Sequence, residues 1–334
     1  MAKGVAGCRR SWRRSAASVI LSLLVGLTLG PDRAFVRGLK LGGVYDANTD
    51  PENEAKIALD AAAIKETDDL EIKKNIYLNG QNSQYQDPQS LELINRSLAS
   101  LSLKALEVMK DDDWYNVYRY SFGYIGNKDE NEQQGNFDEQ PIEHYANTVV
   151  IDLFNLAEED IETEAAVVMN VWMMVAHHLQ EAERQCKSSK GGNSLDGEAS
   201  LDVSAAYYIG WGQVQGDNDK GDLLYNLAEN AGARFGKDEG ETLANKNIIG
   251  LMNRIKYEII TAGKCPTDFL KFRSLVRQII AQMTVPLVQN LIHYMSEGKT
   301  DKMELYALAL SPQISACDTA GYNYILDKLV LNTY

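Results

Sequence analysis

The chain has 334 residues, 45% of them hydrophobic and 24% charged, which is enough apolar material for a sizeable core in one large domain or two ordinary ones. With seven prolines it is neither collagen-like, nor Pro-rich, nor disordered throughout. A net charge of −14 repels phosphate backbones and excludes nucleic acid as an expected partner; it suits cationic partners or plain solubility.

Arg9, Arg10, Arg13 and Arg14 precede a short apolar run, Ala16–Leu29. A basic start followed by an apolar stretch too short to span a bilayer reads as a secretory signal, here residues 1–34. Cleavage fits after Gly30 or after Ala34. The Ala34-Phe35 junction also resembles the entry point of two-part plastid signals of diatom-type algae, so secretion to the cell surface or periplasmic space and a plastid address both stay open. No later run has spanning length, so no transmembrane segment is expected in the mature chain.

Residues 35–43 read as a linker and residues 44–334 as one helical domain with lobes at about 44–156 and 161–334. Glu52–Asn75 is rich in Ala, Glu, Lys and Ile, with Asp50-Pro51 as a helix start. Asn79–Ser83 is turn chemistry. Pro88–Lys110 reads as a helix on the spacing of Leu91, Ile94, Leu98, Leu101, Leu103 and Leu106. An acidic, Tyr-rich stretch (Asp111–Gly123) and a solvated loop (Gly126–Gln140) follow, and order resumes over Pro141–Leu156.

The clearest helix is Ile161–Cys186, whose apolar residues recur at three- and four-residue spacings. Lys187–Gly197 is the strongest linker. Beyond it, Leu201–Trp211, Asp222–Phe235, Thr242–Ala262, Asp268–Ser296, Lys302–Ala309 and Thr319–Leu331 all read as helices. Sustained strand-like alternation is missing, so the expected fold is all-α: a multi-helix array of two packed lobes with little or no sheet.

Enzyme signatures such as GxSxG, GxxxxGK[ST] and HExxH are absent, and no catalytic residue is expected. Residues 216–222 (GDNDKGD) look calcium-like but lack a closing Glu, and the commoner reading is an exposed acidic loop. His177 and Glu181, four apart on one helix, are a metal-ligand pair or a local surface pair. They are the first suspects if the protein is instead a metal-dependent enzyme.

The 17 tyrosines cluster near acids, as at Tyr115, Tyr118, Tyr120 and Tyr124 beside Asp111–Asp113, or Tyr207 and Tyr208 near Asp202. Phenolate and carboxylate oxygens are hard donors suited to ferric iron, although tyrosines more commonly pack helix interfaces.

Several segments resemble the algal iron-assimilation family, the low-iron-induced cell-surface proteins that include the phytotransferrins of marine algae. Ile76–Ser83 (IYLNGQNS), Tyr115–Tyr118 (YNVY), Met169–Met173 (MNVWM), Asp202–Gly210 (DVSAAYYIG), Leu224–Glu229 with Phe235-Gly236, Val285–Gln289 (VPLVQ) and Ala316–Asp318 (ACD) are similar to family blocks and stand in the same order. The resemblance covers about residues 44 to 330. It implies a non-catalytic secreted or surface protein that captures ferric iron, with carbonate as synergistic anion, for uptake through a cell-surface partner. Within the covered span, ligand chemistry nominates Asp202, Tyr207, Tyr208, Tyr118 and His144 for the metal and the nearby Arg119 for the anion. Trp211–Val214 replaces the acidic run expected after YYxG, and Ala231–Phe235 lacks the family's cysteines. These departures keep a metal-free structural or interaction paralogue in view.

Cys8 leaves with the signal, so Cys186, Cys265 and Cys317 remain. Position alone does not choose among their three pairings. The expected bridge is Cys265–Cys317, which would tie the last helices back to the array and leave Cys186 free.

Overall fold

The computed structural model describes residues 38–87, 89–101, 145–156, 161–189, 197–217, 219–238, 240–315 and 317–330. The signal, the Tyr-rich stretch, the solvated loop and most of the Lys187–Gly197 linker lie outside them. Among the described residues the fold is all-α, as the sequence implies, with two small antiparallel hairpins.

The first hairpin pairs β1 (Lys40–Leu41) with β2 (Tyr45–Asp46), and Leu41 and Tyr45 are buried. The folded region thus begins ahead of Val44. The expected Glu52–Asn75 helix is three helices: α1 (Glu52–Ala55), α2 (Ile57–Glu66) and α3 (Leu70–Asn79). The Asp69 carboxylate starts α3 by accepting from the backbone N–H groups of Glu71 and Ile72. Gly80 ends it at φ 64°, where a Cβ would lie 2.4 Å from the Arg96 carbonyl oxygen.

The expected helix from Pro88 is corrected. β3 (Ser83–Gln86) pairs with β4 (Leu93–Arg96), and Asp87 closes the connecting turn by accepting from the N–H groups of Gln89 and Ser90. Leu91, at φ 61°, and Ile94 are exposed, so their helical spacing marks no buried face. Local side-chain hydrogen bonding outcompeted a helical backbone here. Residues 98–101 are helical, with Leu98 and Leu101 buried, so this part of the expected helix holds; residues 102–110 of it lie outside the described residues.

After α4 (Tyr145–Leu156) comes the long helix foreseen at Ile161–Cys186. It is built from α5 (Glu162–Ala166), a π-helical turn (Val167–Val171) and α6 (Trp172–Ser188). The π turn carries buried Asn170, whose amide donates to the Tyr77 hydroxyl (2.7 Å) and the Leu98 carbonyl (3.2 Å), tying the N-terminal elements to this helix. Then follow α7 (Glu198–Ile209), α8 (Leu224–Arg234), α9 (Leu243–Ile255) with a second π turn (Lys256–Ile260), α10 (Phe269–Glu297), α11 (Thr300–Ser315) and α12 (Thr319–Ile325).

α10 lies antiparallel along α5–α6. Near its start, Arg273 donates to Glu183 (2.8 Å), and near its end Tyr294 donates to Glu164 (3.4 Å). At 1.5 Å per residue the two spans match at about 30 Å. Gly298, at φ 69°, turns the chain so that α11 returns alongside α10. One apolar core runs from Leu41 to Leu310, through both segments read as lobes. No described helix is long and apolar enough to cross a membrane.

The expected cysteine pairing is also corrected. The bridge is Cys186–Cys265, because the antiparallel packing sets the end of α6 beside the start of α10. Lys187, stacked over the Phe269 ring at 5.3 Å, marks the same junction. Cys317 is also disulfide-bonded, so neither it nor Cys186 is a free thiol.

Candidate functional site

Of the nominated residues, Tyr118, Arg119 and His144 lie outside the described residues. The structure assigns Asp202, Tyr207 and Tyr208 to three separate buried networks.

Asp202 is fully buried and accepts five donors. Its Oδ1 takes the Tyr45 hydroxyl (2.7 Å) and the Lys256 ammonium (3.2 Å). Its Oδ2 takes the Asn48 N–H (2.8 Å), the Thr49 N–H (2.9 Å) and the Thr49 hydroxyl (3.0 Å). A carboxylate offers about four lone-pair sites, so none is left for a metal, and the adjacent ammonium repels one. Asp202 is instead the anchor that fastens the N-terminal hairpin to α7 and to the π turn after α9.

Tyr208 donates to Asn245 Oδ1, and the Asn245 amide donates to the Tyr225 carbonyl (3.0 Å) and Glu229 Oε1 (2.6 Å). Tyr207 stacks on His178 with ring centroids 5.7 Å apart. Burial holds both phenols well above their ordinary pKa. Glu181 accepts from Arg184 and Gln185, and His177 is buried with its ring edge against His178. In the GDNDKGD loop, Asp217 accepts from the Asp219 N–H (2.9 Å), and Asp222 pairs with Lys65 of α2 (3.0 Å).

His178 sets a pH dependence. Its pKa is lowered to about 3, first by burial, then by His177 and by Arg96. Its Nδ1 has no hydrogen-bond partner among the described residues. An unfolded histidine takes up a proton near pH 6.5, whereas the folded one refuses it until about pH 3. Stability is therefore full above pH 6.5 and falls as pH drops through that window, by up to about 1.4 kcal/mol per unit. Denaturant unfolding between pH 7.5 and 5 should show that slope. His178→Phe, which keeps the ring stack, should flatten it by about the same amount.

The strongest site lies elsewhere, at the junction of α5, α8, α10 and α11. A cavity of about 300 Å³ opens there, at the lower end of the range for small-molecule pockets. Its centre is Glu164 on α5. Glu164 Oε1 accepts from the hydroxyls of Tyr306 and Tyr294 (3.4 Å for the latter), and Oε2 accepts from Lys302 (2.9 Å).

The two tyrosine rings stack at 5.7 Å, and Asn290 donates to the Tyr306 hydroxyl (2.9 Å). Arg234, ending α8, donates to Asn290 Oδ1 (2.6 Å) and lies 5.1 Å from the Tyr294 ring, as does Lys302. Burial first, then Glu164, raises the pKa of both phenols. Burial opposes the charge on Lys302, but Glu164 outweighs it and holds the ammonium above its ordinary value.

This grouping escaped the sequence reading because Tyr294 and Tyr306 sit singly in apolar helices, one on each side of a turn. The available signal was Tyr294 and Tyr306 flanking Gly298, which folds α10 and α11 into neighbours. Among the described residues, no three His, Cys, Asp or Glu side chains gather closely enough for a metal. No family model, curated protein or solved structure matches the chain.

Proposed function

We propose that this chain is a non-catalytic iron-assimilation protein, secreted or held at the cell surface, which captures ferric iron together with a small anion for uptake. The observation that carries the reading is the convergence of two phenol hydroxyls on one carboxylate at the wall of a cavity that Glu164, Tyr294, Arg234 and Lys302 line, with Tyr306 buried behind it. Phenolate and carboxylate oxygens are the hard donors ferric iron prefers. The neighbouring guanidinium and ammonium suit a small oxyanion that completes the coordination.

Ordered blocks that resemble those of the algal iron-assimilation family support the same kind of protein. The reading sets the iron at Glu164, Tyr294 and Tyr306, which lie outside those blocks, and not at Asp202, Tyr207 and Tyr208. A basic, apolar N-terminus and a disulfide are in keeping with an oxidising compartment.

Both phenols are protonated at neutral pH in the metal-free protein, so iron must displace their protons, and its affinity falls as pH falls. Titrating the purified protein with ferric iron and bicarbonate should give a visible phenolate-to-iron band that fades on acidification. Tyr294→Phe and Tyr306→Phe should each weaken the band, and the double variant should abolish it, while Tyr207→Phe leaves it intact. A band unchanged in the double variant places the iron elsewhere. No band and no iron retained on desalting would favour the metal-free paralogue.

A further inference from the structure

We infer that the cavity beside Glu164 binds a small hydroxy-polycarboxylate, with Arg234 as its principal anchor. This rests on the reading of the cavity as the ligand site, but not on the identity of the metal.

Three cations from three elements converge on the cavity: Lys65 near the end of α2, Arg234 at the end of α8, and Lys302 in the first turn of α11. Two acids face them. Glu164 holds Lys302 (2.9 Å) and Asp222 holds Lys65 (3.0 Å). Arg234 has no carboxylate within ion-pair distance among the described residues; it leans on the Asn290 amide oxygen and the Tyr294 ring. A guanidinium carries five N–H donors in a planar fork matched to a carboxylate. An arginine set this way at a cavity wall is a standing receptor for one.

Size and charge spacing indicate more than one carboxylate on the ligand. Carbonate, even with a metal ion, fills little of a cavity of about 300 Å³. Arg234 and Lys302 each lie 5.1 Å from the same Tyr294 ring, so they are no more than about 10 Å apart. One molecule with two or three carboxylates can reach both, and Lys65 stands at the cavity as a third contact.

The two acids repel a fully anionic ligand surface. A hydroxyl on the ligand answers that by donating to Glu164, whose oxygens already serve as acceptors. Hydroxy-carboxylates also offer hard oxygens to ferric iron, so one ligand would serve both the cations of the cavity and a bound ion.

Calorimetry on the purified, metal-free protein tests this with citrate, bicarbonate and inorganic phosphate as separate titrants. Citrate should bind one-to-one and at least tenfold more tightly than either of the others. Arg234→Gln should cost at least tenfold in citrate affinity, Arg234→Lys should recover part of it, and Lys65→Ala should cost several-fold. The unliganded melting curve of Lys65→Ala should overlay that of the wild type, and Arg234→Gln and Arg234→Lys, which each keep an N–H donor for Asn290, should stay cooperatively folded.

Citrate binding no tighter than bicarbonate or phosphate overturns the inference, as does undiminished citrate binding by Arg234→Gln. A ferric band that forms with bicarbonate in a protein that ignores citrate would sink this inference and leave the iron reading standing. Citrate binding that depends on Arg234, without any ferric band, would do the reverse.

Discussion

Asp202→Ala should lower folding stability by roughly 3–5 kcal/mol, the cost of removing one partner from a buried ion pair. The loss is large because Asp202 is fully buried and joins three parts of the chain: the segment Tyr45–Thr49, α7 itself, and Lys256. Without the carboxylate, the Lys256 ammonium keeps a single backbone acceptor, the Asp46 carbonyl, in a site with no exposure. The Tyr45 hydroxyl and two backbone N–H groups are orphaned with it.

Asp202→Leu combined with Lys256→Met should recover part of the loss, since an apolar pair carries no desolvation penalty. Recovery stays incomplete, because Tyr45 and Thr49 keep unmatched donors. Denaturant unfolding of the two variants reads both effects. A loss below about 1 kcal/mol in Asp202→Ala would show that water or a rearranged loop satisfies these donors, and the anchoring role would fail. The same variant separates anchor from ligand: in protein that remains folded, the ferric band should persist.

The helical elements were legible because helix periodicity is local. From Glu162 to Val330 the apolar spacing places the helices within about three residues of where they lie, except that α11 runs six residues past Ala309 to Ser315. The N-terminal part was less legible. Leu91 and Ile94 repeat like a buried helical face, yet Asp87 bonds its own turn and Leu91 is exposed, so short-range hydrogen bonding decided the outcome.

The site was hardly legible at all. Asp202 and Tyr207 were singled out for their chemistry, but chemistry without packing does not reveal that five donors already occupy the carboxylate. Glu164 is more than a hundred residues from Tyr294 and Tyr306. Only the antiparallel run of α10 along α5–α6 brings the three together.

That antiparallel run also underlies the second large effect. Removing the Cys186–Cys265 bridge through a Cys186→Ala, Cys265→Ala double variant should cost about 4.5 kcal/mol. The bridge spans 79 residues and encloses α7, α8 and α9, and chain entropy for a loop of that length gives roughly this value. Both cysteines are buried, so truncation adds a small packing loss, and a reductant acting on the native protein should be slow. The denaturant slope should rise, because an unbridged unfolded chain exposes more surface.

Non-reducing peptide mapping of the wild type should recover the peptides of Cys186 and Cys265 linked to each other. A linked Cys265–Cys317 pair would refute the packing of α6 against the start of α10, since Arg273–Glu183 and Lys187–Phe269 mark the same junction. It would also displace the opposite end of that helix pair, where Tyr294 meets Glu164, and with it the cavity on which the iron reading stands.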